Sequence, residues 1–158
     1  LQAKNQTAWT PAISLICGLH ASFLEIEKTG WPVLFRRFDV LARATRAGVL
    51  AMGLELLSPN APSTSVTAVQ LPMPPEAGAK IPKIMRDRYG VVVAGGQDEL
   101  QGKIVRLSHL GYMGPFDMMT ALQALEWSLC DQGANIRSGS GVAGALQVLT
   151  QERDILFS

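Results

Sequence analysis

Residues 103–119 read KIVRLSHLGYMGPFDMM, and the fold turns on how they are parsed. Ile104, Val105 and Leu107 surround a lone Arg106. β-branched and aliphatic residues in so short a run read as a strand. Gly111, Gly114 and Pro115 then break it, and a helical apolar pattern starts at Phe116. Side chains alternate along a strand, so Ile104, Arg106, Ser108 and Leu110 share one face. Val105, Leu107 and His109 share the other. A guanidinium is costly to bury without a partner. Two readings of Arg106 follow. It forms an internal ion pair with Asp98, Glu99 or Asp117, or its planar fork binds the carboxylate of a ligand through two parallel hydrogen bonds.

Working outward, VVVAGG (91–96) reads as a strand ending in Gly95 and Gly96. Those glycines either make the turn into QDELQG or let a substrate pass close to the backbone. SVTAVQLP (65–72) is a β-branched strand stopped by Pro72, and LELLS (54–58) is a short strand candidate. Helices are expected from Thr10 (N-cap) and Pro11 to Gly30, from Pro32 to Gly53, and from Ala79 to Gly90 with Pro82 in or near the first turn. A fourth runs over PFDMMTALQALEWSLCDQG with Phe116, Met119, Leu122, Leu125, Trp127 and Leu129 as its apolar positions, and the tail adds a last one. The predicted fold class is α+β: a small, mainly antiparallel sheet of about four strands with helices packed on one face.

Composition narrows the function. The chain has 158 residues, 47% hydrophobic and 17% charged, with a net charge of +1. That suits one globular domain and lacks the basic stripe of a nucleic-acid surface. No signal peptide or membrane span is visible, and a cytoplasmic protein is expected. Cys17 and Cys130 fall in apolar helical patterns and are expected to be buried free thiols. His20 and His109 have no companions at metal-ligand spacing, so no metal site is expected. GSGVAG (139–144) has dinucleotide-loop spacing, but it follows a helix rather than a strand and reads as a flexible link into the last helix. The chain opens on Leu1, and we take it as a piece of a longer protein.

Four blocks together resemble a known family: QTAWTPAISLICGL (6–19), GLELL (53–57), SVTAVQLP (65–72) and, most specific, RYGVVVAGGQDELQGKIVRLSHLGYM (88–113). They are similar to the C-terminal domain of class V, fold type I aminotransferases, in the alanine–glyoxylate and serine–pyruvate branch. Some relatives there carry the label soluble hydrogenase small subunit, although two helical cysteines do not suit nickel or iron–sulfur ligation. The resemblance spans residues 1–158 as one small domain. It implies a pyridoxal-phosphate enzyme, dimeric at full length, that moves an amino group between a small amino acid and a 2-oxo acid such as glyoxylate or pyruvate. It implies that Arg106 binds the substrate α-carboxylate. It also implies that Gln6, Thr7 or Thr10 reaches the cofactor phosphate of the partner subunit. The family's Schiff-base lysine lies in a larger domain, and Lys4, Lys28, Lys80, Lys83 and Lys103 do not match it. This chain alone is therefore expected neither to hold the cofactor nor to transaminate. A competing expectation is a free-standing α+β module that senses a small carboxylate. A cysteine desulfurase is disfavoured because both cysteines fall in helices.

Overall fold

The computed structural model describes Thr7 and residues 9–157. The chain divides into two compact units, residues 1–35 and 36–158.

In the first unit, α1 (Ile13–Thr29) carries no buried residue. Ile13, Leu15, Ile16, Leu19, Phe23 and Leu24 are all exposed. Its start differs from the expected Thr10 cap: Ala12 occupies the N-cap position and no side chain caps the helix. The Ile13 N–H instead turns back to the Pro11 carbonyl at 2.9 Å. At the other end, Gly30 takes φ 82°, and its N–H closes on the Ile26 carbonyl at 2.7 Å.

The second helix, α2 (Trp31–Ala51), enters the second unit at Arg36. Val40, Leu41, Ala44 and Val49 form its buried stripe. After it come β1 (Val66–Gln70), α3 (Pro75–Gly78), α4 (Ile81–Tyr89), β2 (Ala94–Gly95), a 3₁₀ turn (Asp98–Leu100) and β3 (Ile104–Ser108). The chain ends with α5 (Pro115–Asp131), α6 (Ser140–Gln151) and α7 (Arg153–Leu156). The sheet order is β1-β3-β2, antiparallel throughout, with Ala68 and Ala94 both opposite Arg106.

The expected α+β class holds, with a sheet of three strands among the described residues where about four were expected. LELLS contributes one bridge, Leu56 to Val69. It is held by Leu57 N–H to Ala68 O and Gln70 N–H to Glu55 O. The turn-rich SPNAPST that follows carries the chain away before more pairs can form. VVVAGG shrinks to two strand residues because its first valine belongs to the end of α4. Gly90 sits left-handed at φ 69°, and the N–H groups of Gly90 and Val91 reach back to Arg86 and Met85 carbonyls.

Strand alternation sorts the two faces. Thr67, Val69, Val105 and Leu107 are buried, while Val66, Ala68, Arg106 and Ser108 are less covered. The buried face joins a core with Leu41, Val49, Ile81, Met85, Leu122 and Leu125 from the helices, and Ile104, on the Arg106 face, is buried as well. On α5 the buried stripe is Met118, Leu122, Leu125 and Leu129. Phe116 and Trp127 were expected to join it, but they fall outside its i, i+4, i+7 spacing and stay exposed. Trp127 instead packs against Tyr89 at 5.4 Å. Both cysteines are exposed, against the expectation. Cys17 lies on the uncovered α1 and Cys130 at the end of α5, beside rather than within the apolar stripe.

GSGVAG proves to be part of a packed helix rather than a flexible link. Gly139 begins it at φ 75°, and α6 starts at Ser140. Gly141 and Gly144 lie against α2, where a Cβ on Gly48 would come 2.6 Å from the Gly141 carbonyl oxygen. A Cβ on Gly144 would come 2.5 Å from that of Ala51. The glycines let two helices approach closely. The α6 N-terminus is filled by the carboxylate of Glu126, which accepts from Gly139 N–H at 2.7 Å and Gly141 N–H at 3.2 Å. A dinucleotide phosphate has no place there.

Candidate carboxylate site

Arg106 stands in the central strand, half-buried, on the less covered face. Its cross-strand neighbours are both alanines, which leaves room around a long side chain. Its Nε–H donates to the Gly95 carbonyl at 3.0 Å. Among the described residues no carboxylate lies within ion-pair distance of it. The three internal partners considered from the sequence are thus not engaged with it. Asp117 lines the same cleft but accepts from Gly114 N–H at 2.7 Å, capping α5. Asp98 and Glu99 sit in the 3₁₀ turn, where Asp98 takes φ 48°.

The cleft beside Arg106 measures about 650 Å³. Val91, Val93, Met113 and Met118 supply apolar wall, and Ser108 and Thr120 add hydroxyls. One cation in a mainly apolar concavity is the arrangement by which small carboxylates are oriented.

Gly95 and Gly96 differ in the room around them, and neither is among the residues lining the cleft. A Cβ on Gly96 would fall 1.9 Å from the Leu100 carbonyl oxygen, so Gly96 is there for the tight 3₁₀ return. A Cβ on Gly95 would meet only the Pro82 ring, at 3.4 Å. Gly95 contributes its carbonyl.

His109 faces away from Arg106, as strand alternation predicts. Its Nδ1 lies 3.0 Å from the Thr64 carbonyl, which can only accept, so Nδ1 carries the proton. Nε2 then accepts from the Thr67 hydroxyl at 2.8 Å. Burial pushes the imidazole pKa below its ordinary value and keeps it neutral. His109 ties the end of β3 to β1.

Of the residues expected near a cofactor phosphate, Gln6 lies outside the described residues. Thr7 is exposed, and its hydroxyl donates to the Trp9 carbonyl at 2.7 Å. Thr10 is exposed. Both belong to the unit of residues 1–35. Lys28 pairs with Glu25 and Lys83 with Asp87, each on an exposed helix surface. None of the described lysines lines the Arg106 cleft. The described residues of this chain therefore do not by themselves fit pyridoxal phosphate. Among them, no group of three or more His, Cys, Asp or Glu is placed to hold a metal ion, and no helix is long and apolar enough to cross a membrane.

Sequence reasoning missed Glu126, which is 1% exposed. The signal was present: ALEWSL places one charge in an apolar helical run, the same anomaly that singled out Arg106.

No protein-family model matches the chain. It is 37% identical over 150 residues to the soluble hydrogenase 42 kDa subunit of Anabaena cylindrica, covering 94% of this chain and 39% of that protein. It is 34% identical to the serine–glyoxylate aminotransferase of Methylorubrum extorquens, covering 90% of this chain and 36% of that one. Among solved structures, the pyridoxamine–pyruvate aminotransferase of Mesorhizobium loti superposes with a TM-score of 0.84 at 32% identity. That match covers 94% of this chain and 38% of the other. In fold and in sequence the chain is similar to part of these aminotransferases. More narrowly, the chain is homologous over most of its length to a part of the class V aminotransferases. It spans under two fifths of the length of the relatives it matches.

Proposed function

We propose that this chain is the C-terminal small domain of a pyridoxal-phosphate-dependent aminotransferase and that Arg106 binds the α-carboxylate of its substrate. The observation that carries the reading is a guanidinium with no acidic partner among the described residues, lining a cleft in a chain related to aminotransferases. An amino acid and a 2-oxo acid share a carboxylate, so one arginine serves both halves of an amino-group exchange. Hydrogen bonds to charged groups are worth about 1.5–3 kcal/mol each, enough for one residue to dominate orientation. Relatives named for glyoxylate and pyruvate support a small amino acid and a small 2-oxo acid as the substrate pair.

In the complete enzyme, pyridoxal phosphate supplies the electron sink. This chain supplies orientation through Arg106 and apolar wall through Val91, Val93 and Met113. We place Gly95, whose carbonyl holds Arg106, on the substrate side of the site, with Gly96 in the turn beside it. Gln6, Thr7 and Thr10 are the candidates for the phosphate of a partner subunit in a cytoplasmic homodimer, since side-chain amides and hydroxyls suit phosphate oxygens. The chain by itself carries no turnover.

The test is kinetic. In the complete enzyme, Arg106→Ala raises KM sharply and lowers kcat while the cofactor absorbance stays unchanged. Loss of cofactor absorbance with unaltered KM contradicts the proposal. So does turnover above a blank by the 158-residue chain mixed with pyridoxal phosphate, serine and glyoxylate.

A further inference from the structure

Strand β2 holds the one hydrogen-bond partner that Arg106's side chain has among the described residues. It is the edge strand of the sheet and only two residues long. Gly96 N–H donates to the Ile104 carbonyl at 3.1 Å. In an antiparallel ladder that makes Gly96 and Ile104 the hydrogen-bonded pair, so the backbone groups of Gly95 point away from β3. The Gly95 carbonyl therefore faces the open edge. Arg106, on β3, reaches it with Nε at 3.0 Å. To do so its stem passes over Ala94, the residue directly opposite it. A larger side chain at 94 would occupy that path.

A guanidinium can hold a carboxylate side-on, through Nε and one terminal nitrogen, or end-on, through both terminal nitrogens. Here Nε has only one N–H, and Gly95 already takes it. Neither terminal nitrogen has a hydrogen-bond partner among the described residues. Resting on the reading of Arg106 given above, we infer that Ala94 and the Gly95 carbonyl are positioning groups that lock the arginine across β2, and that the site takes its monocarboxylate end-on through Nη1 and Nη2. Ala94 is exposed and itself lines the cleft, so a larger residue there spares the core, and the Nε–H protection, which filling the cleft alone would not remove, reads the aim.

The test uses the ¹⁵N-arginine spectrum of the 158-residue chain with pyruvate as probe. In the free chain, the Arg106 Nε–H exchanges more slowly with water than that of the exposed Arg153. Saturating pyruvate shifts the Nη signals and leaves Nε in place and still protected. Ala94→Leu, with an unchanged amide fingerprint elsewhere, abolishes the Nε protection and weakens pyruvate binding about tenfold. If Nε shifts with Nη and loses protection on binding, the end-on inference is overturned while Arg106 remains the clamp. If Ala94→Leu keeps full Nε protection and affinity, Ala94 has no positioning role. If pyruvate binds and moves no Arg106 nitrogen, or does not bind, the clamp assignment itself falls and the end-on inference with it.

Discussion

The Arg106 Nε–H donates to the Gly95 carbonyl at 3.0 Å, across the strand pair β2–β3. That bond consumes one donor of the guanidinium, and among the described residues no carboxylate pairs with the side chain, which lines a cleft. An arginine kept purely for structure would be expected to neutralise an acid. This one satisfies a backbone carbonyl at a sheet edge and keeps its charge available.

The two glycines beside it respond differently to a methyl group. Gly96→Ala forces a Cβ to within 1.9 Å of the Leu100 carbonyl oxygen. The 3₁₀ turn must shift, and we expect a loss of about 1–3 kcal/mol in urea unfolding. Gly95→Ala meets only the Pro82 ring at 3.4 Å and should stay within about 0.5 kcal/mol of the parent. Equal losses at both positions contradict this division of roles.

Glu126 is a buried cap for α6. Glu126→Ala removes the acceptor for Gly139 and Gly141 N–H groups and should lower stability by about 2–4 kcal/mol. Glu126→Gln keeps one acceptor oxygen and should lose less. Denaturant midpoints measure both; parental stability in the alanine variant is the contrary result.

The α2–α6 crossing depends on missing side chains. Gly144→Val places bulk against Ala47 and Ala51 and should destabilise by about 2 kcal/mol or more. Gly18→Ala on α1 meets nothing within 4 Å and should raise helicity, worth about 0.5–1 kcal/mol. Thermal unfolding by circular dichroism separates the two.

His109 makes stability pH-dependent. Its pKa is lowered by burial in the fold, while in the unfolded chain it lies near 6.5. Below about 6.5 the unfolded chain takes up a proton that the folded one resists, so the contribution is full above that pH and falls away toward the lower folded value. We expect the unfolding free energy to drop on acidifying from pH 7.5 through that interval. His109→Gln should flatten that part of the curve; an unchanged slope contradicts the assignment.

The sequence shows some of this more plainly than the rest. Strand alternation put Arg106 and His109 on opposite faces, and apolar spacing located all the longer helices. Strand lengths were less legible. Val91 looks like a strand residue, but its N–H is spent on the α4 cap. LELLS has strand composition but forms a single bridge, Leu56 to Val69, before the chain turns away. The glycine spacing of 139–144 could not reveal its purpose, because that purpose is the proximity of Gly48, distant in sequence. Asp98, Glu99 and Asp117 are near Arg106 along the chain, and only geometry shows that none pairs with it.

Calorimetric titration of pyruvate into the 158-residue chain and into its Arg106→Ala variant tests the central claim most directly. The account predicts saturable binding to the parent, weakened at least about tenfold in a variant that unfolds at the same temperature, as the loss of one charge-assisted contact requires. Equal affinity of the two chains would contradict it.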